Sequence, residues 1–402
     1  MAALLLLRNA RVMTCDPSRG PGLGLLDDAA IVIVDGAVAW IGPDAERPSS
    51  AREELDLGGR LVTPGLVDCH THAIFAGDRA TEFGMRASGR TYLEIAAAGG
   101  GIAATLGPTR ALAEAGHVEL LAARLDAMLA LGTTTVEVKS GYDLTIPGEQ
   151  KLLRAIATVA GQRAQRVVPT LLAHLIPPER AADRDRFVAE WCEALIPAVA
   201  RAGLATSVDV YCDRGAFTLV EARAVLGAAT AHGLAVRAHA GQFDDVGAAE
   251  LVAELGGRSV DHLEQVSDRG IAALAGAGVV AVMLPGACVQ LRLPVPPVER
   301  LRAAGVAMAV ATDLNPGSSY CESLLVQLWL ATTHFGMTLD EAWLGVTRHA
   351  ATALGVAAGT LAVGARADLV IWHADDPAAV PYRYGLAHTL IDAVYVAGLP
   401  VR

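Results

Sequence analysis

Two histidines separated by one residue, His70 and His72, close the stretch "PGLVDCHTH". In an extended strand, residues i and i+2 point to the same side, with Cα atoms ~6.6 Å apart. Two imidazoles so placed can converge on one ion at ~2.0–2.1 Å. Alone the pair is a weak signal, because an HxH is more often two hydrogen-bonded or exposed histidines. It gains meaning from residues of the same chemistry that follow apolar runs further along: His239 in "AHAGQF", His262 in "DHLE" and Asp313 in "ATDLNPGSS". Imidazoles mixed with a carboxylate, with room left for water, suit a catalytic zinc. The chemistry to expect from such a set is hydrolysis, since a divalent ion lowers the pKa of a water to ~7.

The runs that end in these residues belong to a repeating pattern. Apolar strand-like segments alternate with Ala/Leu/Glu-rich helical ones such as "GHVELLAARLDAMLALG", the βαβ signature of a parallel sheet. Candidate strands are Leu66–His70, Thr134–Lys139, Val167–Ala173, Ser207–Cys212, Ala235–Ala240, Ser259–His262, Val279–Leu284 and Ala307–Asp313. Eight βα units over about 290 residues fit a (β/α)8 TIM-like barrel, whose chemistry sits at the C-terminal ends of the strands. His70 and His72 then close strand one, His239 strand five, His262 strand six and Asp313 strand eight. His174, in "LLAHLIPP", closes strand three and points to the same rim. Gly99-Gly100-Gly101 falls in the long connection after strand one, where a functional loop is expected. His117, His232, His334, His349, His373 and His388 fall in helices or near the chain's end and receive no chemical role.

Both ends of the chain read differently, as short alternating strands. "AIVIVDGAVAWIGP" carries a hairpin signal at Asp35-Gly36, and "GTLAVGARADLVIWHADDP" and "IDAVYVAGLPVR" repeat the pattern near the end. Neither end buries enough apolar surface alone. The expectation is one small composite β-sandwich from 1–60 plus 358–402, with the α/β barrel spanning 61–357.

Composition narrows the function classes. The chain has 402 residues, 53% hydrophobic and 19% charged, with a net charge of −11. That balance favours a large buried core and gives no electrostatic case for nucleic acid or an anionic membrane. An anionic substrate would need local cations. The opening "AALLLL" is too short for a membrane span or a signal-peptide core. Six cysteines are scattered without a CxxC pair, so a thiolate site is not expected and a cytoplasmic location is.

The number of metals turns on lysine. A second ion in such a barrel needs a bridging ligand, often a carboxylated lysine on strand four, and "SVDVYCD" has none. Lys139, in "VEVKSGY", ends strand two, in the wrong place to bridge. One ion is therefore expected, held by His70, His72, His239 and Asp313, with His262 free to touch its water.

"PGLVDCHTH", the later histidines and "ATDLNPGSS" resemble the metal-dependent amidohydrolase superfamily. "HTHAIFAGDRATEF", "AAGGGI", "TTVEVKSGYDL", "HAGQF" and "PYRYGLAHT" are similar to segments of its imidazolonepropionase family, from about Gly65 to the end. The resemblance implies hydrolysis of 4-imidazolone-5-propanoate to N-formimidoyl-L-glutamate in histidine degradation, with one Zn2+ or Fe3+ per subunit and a homodimeric assembly. It implies that Arg79, Tyr92 and Tyr142 hold the propanoate and ring. It implies that His174, Gln242 and Ser318 contact the substrate, and Asn315 and Gly317 the product. This chain has Gly241 where the family often has Asp, Ser318 where Thr is frequent, and Asp143 where Gly is common.

In that chemistry Asp313 accepts the water's proton and His262 hydrogen-bonds the nucleophile or shares the base role. His174 is a candidate proton donor to the leaving nitrogen or a stabiliser of the oxyanion. Arg79 follows a ligand by seven residues, and a guanidinium binds a carboxylate bidentately. The rival reading is another mononuclear amidohydrolase, a deaminase or cyclic amidase, acting on a related carboxylate-bearing ring.

Overall fold

A computed structural model of the chain describes residues 4–48, 53–90, 94 and 100–402. From the N-terminus come β1 (Leu4–Met13), β2 (Leu25–Val34), β3 (Ala37–Pro43), β4 (Glu53–Asp56) and β5 (Leu61–Pro64). The chain's far end returns β14 (Leu369–Trp372), β15 (Ile391–Val396) and β16 (Leu399–Pro400) to the same sheet. Its order is β16-β15-β14-β5-β1-β2-β3, with β4 beside β1. The β2–β3 hairpin turns at Asp35 and Gly36, with φ of 49° and 82°, as a type I′ turn requires. The two ends of the chain meet where β14 pairs antiparallel with β5, Ile371 opposite Val62.

This terminal layer holds its own core, including Leu5, Leu7, Val12, Ile31, Ile33, Val62, Leu369 and Ile371. It is one continuous hydrogen-bonded sheet, not two separately bonded ones. β5 belongs to it, so the chain crosses to the barrel at Gly65, later than the boundary expected after residue 60. "LVTPGLVD" reads as a single apolar run, and Gly65 is its break. A Cβ there would lie 2.1 Å from the Thr134 hydroxyl oxygen, so only glycine lets the two strands part at this point.

The second sheet is parallel throughout: β6 (Leu66–Asp68), β7 (Thr133–Lys139), β8 (Arg166–Ala173), β9 (Ser207–Cys212), β10 (Ala235–Ala240), β11 (Ser259–His262), β12 (Val280–Met283) and β13 (Met308–Val310). These strands follow the expected ones closely, with three shorter than expected: β12 loses one residue at each end, and β6 and β13 lose more. β6 stops before His70 and β13 before Asp313. There the chain leaves regular ladder geometry, Asp313 taking a left-handed φ of 50°. Pairing continues past the strand ends: Asp313 N–H donates to His70 O at 3.0 Å and His72 N–H to Leu314 O at 2.9 Å. The barrel therefore closes at its C-terminal rim. No helix among the described residues is long and apolar enough to cross a membrane.

Strand alternation sorts the side chains. Val136, Val138, Val208, Val210, Val236 and Val260 pack in one core with helix residues Leu121, Leu125, Leu152, Ile156 and Val225. The alternate positions hold Glu137, Lys139, Thr170, Ser207, Asp209, Arg237, Ser259 and Asp261, all buried. Bulky branched residues usually fill the inside of such barrels. Here the inside is charged, and buried charge must be paired or coordinated.

Candidate active site

The rim assembles the donors from opposite ends of the barrel sequence. His70 and His72 follow β6, His239 lies on β10, His262 ends β11 and Asp313 follows β13. His72 Nε2 lies 3.3 Å from Asp313 Oδ1 and 3.3 Å from His239 Nε2, and His70 Nε2 lies 3.4 Å from Asp313 Oδ1. Four ligands at ~2.05 Å around one ion define a tetrahedron with edges of ~3.35 Å. The observed separations are such edges. Buried His70 Nε2 has no hydrogen-bond partner, which a metal ligand would explain. A ring nitrogen of His262 groups with those of His70 and His239 within 4.8 Å, close enough to reach a water there. The residues therefore fit a single metal ion.

Three of the imidazoles, His70, His239 and His174, are aimed by an acceptor behind them, whereas the Nδ1 atoms of His72 and His262 make no hydrogen bond. His70 Nδ1 meets Asp261 Oδ2 at 2.5 Å and His239 Nδ1 meets Asp209 Oδ1 at 2.9 Å. His174 Nδ1 meets Gly141 O at 3.0 Å, and His262 Nδ1 faces Glu264 Oε1 at 3.6 Å. An acceptor at Nδ1 keeps the proton there and turns the Nε2 lone pair forward. Burial and the Lys139 charge push the His70 imidazole down, but Asp261 and Asp313 outweigh them and raise it to about 9. Burial lowers His239 to about 4 despite Asp209, and lowers His174 to about 3 with help from the His239 charge. Burial tends to raise Asp313, yet bonds to His70 and His72 hold it well below the usual carboxylate range.

Three non-glycine residues here take left-handed backbone. His262 and Leu263 have φ of 82° and 71°, beside Asp313 at 50°. Non-glycine residues in this region cost roughly 1–3 kcal/mol each and gather at functional sites. Gly241 also has a left-handed φ, 67°, and a Cβ there would make ordinary van der Waals contact, 3.6 Å from Leu263 Cα and Val266 N. Asp tolerates that conformation better than most residues, so the Asp-to-Gly departure costs the loop nothing sterically. Asp143 has no left-handed φ; it folds over Gly148 and accepts from the Thr145 hydroxyl at 2.5 Å.

The facing wall is built on loops. Arg79 is largely buried; its Nη2 reaches Thr105 Oγ1 at 3.3 Å, and its Nε makes no hydrogen bond but lies 3.9 Å from Glu82 Oε1. Its charge acts on both Tyr142 and His174. Tyr142 is buried, edge-on to His72 at 5.6 Å and near His174 at 5.4 Å. The loop carrying Tyr142 is gathered by Glu149, whose carboxylate accepts the amides of Gly141, Asp143 and Leu144. Asp213 does the same for Gln242, Phe243 and Asp244. Arg124 donates to Ala73 O and Phe75 O, fixing the loop after the histidine pair. Gly317 sits against Arg79, where a Cβ would be 2.3 Å from Nη1.

The side-chain amide of Asn315, expected to contact the product, is engaged within its own loop. Its Oδ1 accepts from Gly317 N at 2.7 Å and Ser318 N at 2.8 Å, and its Nδ2 donates to Asp313 O at 2.7 Å and Ser318 Oγ at 2.8 Å. That uses every donor and lone pair of the amide. Asn315 shapes the loop that presents Asp313 and Ser318. The Ser318 hydroxyl also faces Asp313 Oδ2 at 3.4 Å, a contact that a threonine hydroxyl would equally make. Gln242 Oε1 is taken by the Tyr211 hydroxyl at 2.9 Å. Tyr92 lies outside the described residues. Sequence reasoning missed Tyr211, Glu149, Asp213, Arg124 and the carboxylates behind the histidines. Asp209 and Asp261 did leave a signal, a lone charge inside an apolar strand.

A sequence profile of the amidohydrolase family matches residues 61–400. An imidazolonepropionase of Rhizorhabdus wittichii is 48% identical over 393 residues, 96% of this chain and 98% of that one. The chain belongs to the amidohydrolase family, in its imidazolonepropionase branch. Another imidazolonepropionase, of Acidiphilium cryptum, is 50% identical over 375 residues, 92% of this chain and 93% of its own. Among solved structures, an adenosine deaminase from Xanthomonas campestris with bound zinc shares the fold at a TM-score of 0.73 and 19% identity, covering 98% of this chain and 92% of its own. N-isopropylammelide isopropylaminohydrolase from Burkholderia multivorans does so at 0.70 and 22%, covering 99% and 98%. Membership makes this amidohydrolase a metal-dependent hydrolase of C–N bonds.

Proposed function

We propose that the chain opens the ring of 4-imidazolone-5-propanoate to give N-formimidoyl-L-glutamate in histidine degradation, using one Zn2+ or Fe3+ held by His70, His72, His239 and Asp313. The observation that carries this reading is a hydrolytic donor set together with a largely buried guanidinium, Arg79, whose Nε makes no hydrogen bond and has Glu82 Oε1 3.9 Å away. Near-full-length likeness to imidazolonepropionases supports it. When bound, the ion acidifies a water and polarises the ring carbonyl. Arg79 holds the propanoate, and Tyr142 and Tyr211 flank the ring. Asp313 uses Oδ2, the oxygen away from His70 and His72, to take the water's proton. His262 hydrogen-bonds the same water. The C–O bond forms as the C–N bond breaks, and Asp313 returns the proton to the departing nitrogen.

Of the roles considered for His174, substrate contact fits its surroundings best. With its Nδ1 proton on Gly141 O and its pKa lowered to about 3, its forward nitrogen is a lone pair. It accepts a hydrogen bond from the ring N–H and orients the amide. The reading extends to a cytoplasmic homodimer on family likeness, checked by cell fractionation and sedimentation. Ultraviolet loss of imidazolone propanoate, run beside hydantoins and pyrimidines, tests the substrate. Turnover of the hydantoins or pyrimidines in preference to the imidazolone would overturn it, and metal analysis of the purified protein distinguishes zinc from iron.

A further inference from the structure

Lys139 is the one candidate metal-bridging residue that the single-ion site does not use, yet it is fully buried. Its Nζ lies 2.6 Å from Asp209 Oδ2, 3.0 Å from Glu137 Oε1 and 3.7 Å from Asp261 Oδ2. Asp209 and Asp261 are the two carboxylates that grip His239 and His70. Arg237 completes the layer: it pairs with Glu137, reaches Asp261 Oδ2 at 3.4 Å and Cys69 O at 2.7 Å, and contacts Ser259 Oγ at 2.9 Å. Ser259 in turn donates to Asp261 Oδ1 at 2.7 Å. Three carboxylates face two cations, leaving one net negative charge beneath the imidazoles. Carboxylating Lys139 would put a fourth anion among the three, which the layer cannot accommodate.

We propose that the buried layer of Lys139, Glu137 and Arg237 is a positioning device for the metal centre, with Lys139 as the shared counter-ion of the two carboxylates that aim His70 and His239. It rests on the metal site proposed above. Without that cation, Asp209 and Asp261 would be unpaired buried anions. They would turn away, and each histidine would lose the acceptor that keeps its Nε2 lone pair forward. Partners of metal ligands at this remove typically change metal affinity 10–100-fold. The residues touch neither ion nor substrate, so the effect reaches both only through the two histidines.

Zinc titration of the full-length protein against a chromophoric chelator tests this without reference to activity. Lys139→Met and Asp209→Asn should each weaken zinc binding about 10–100-fold, and Ser259→Ala by a smaller factor. Lys139→Met combined with Asp209→Asn should cost little more than either alone, because both act on one unit. A merely structural role predicts the opposite split: a lower unfolding midpoint of the zinc-free protein with zinc affinity within twofold of the parent. That result for Lys139→Met overturns the proposal. If Lys139→Met fails to fold, parental zinc affinity in both Ser259→Ala and Asp209→Asn overturns it equally. Failure of the parent protein itself to bind zinc or iron sinks the underlying site instead.

Discussion

The two walls of the active site are held by different physics. On the metal wall, side chains grip side chains: Asp261 on His70, Asp209 on His239, Lys139 and Arg237 beneath both. All are fully or almost fully buried, and all but His70, which follows β6, lie on strands, so their positions follow from barrel geometry. On the substrate wall, carboxylates grip backbone amides: Glu149 under the Tyr142 loop and Asp213 under the Gln242 loop. One wall is built to keep an ion in place whatever the substrate. The other shapes loops, so residues can change on it without disturbing the ligands, as at Gly241 and Ser318.

If this division is real, damage on each wall has a distinct signature. The largest effect belongs to His239→Ala, which should lose metal and activity together. We expect kcat/KM to fall more than ~10³-fold, the scale of several kcal/mol of lost transition-state stabilisation; full metal occupancy in the purified variant would refute its assignment as a ligand. Arg79→Ala should leave metal content intact and raise KM about 10–100-fold, with a smaller change in kcat, as expected for losing a charged hydrogen bond of ~1.5–3 kcal/mol. An unchanged KM removes Arg79 from the substrate wall.

Glu149→Gln is the sharper test, because it acts only through backbone. It replaces an anion accepting three amides with a neutral amide, at about 1–3 kcal/mol. KM should rise several-fold with stoichiometric metal; lost metal would mean that the walls are not independent. The smallest effect concerns pH. His174 has a folded pKa of about 3 against an ordinary 6.5, so between those values the unfolded chain binds more protons. Stability is then full above pH 6.5 and declines on acidification, by up to ~1.4 kcal/mol per pH unit for this group. With chelator present, His174→Asn should flatten the urea-midpoint profile between about pH 4.5 and 6.5 by one proton's worth. An unchanged slope would place the ring in water.

Why one wall was easier to read from sequence follows from the same division. His70, His72, His239, His262 and Asp313 each end an apolar run, so counting strands puts them on one rim. Asp209, Asp261 and Glu137 occupy the middle of such runs, where a lone charge has no visible partner. Their partners come from neighbouring and opposite strands and exist only once the barrel closes. Strand counting puts Lys139 at the end of strand two, away from a bridging position, but its place in the sequence gave no hint of two carboxylates facing it. Asn315 shows the limit of motifs. Its place in "NPGSS" marks importance, while the four internal bonds that define its task appear only in three dimensions. The terminal strands were legible as strands, but their union in one sheet through β5 and β14 depended on a break at Gly65 that looks like part of a continuous run.

The closure of the barrel carries a mechanical consequence. Asp68 accepts from Thr312 Oγ1 at 2.6 Å, joining residues 244 apart in sequence, and His70 O and Asp313 N meet just above. An ion shared by His70 and Asp313 would rivet this same seam, like the pin of a hoop. As a cross-link on a loop of that length it would restrict the unfolded chain by ~5 kcal/mol in the chain-entropy picture. Stripping the ion should therefore let the hoop spring open there first, with the amides of His72 and Asp313 exchanging hydrogen before those of the strands opposite.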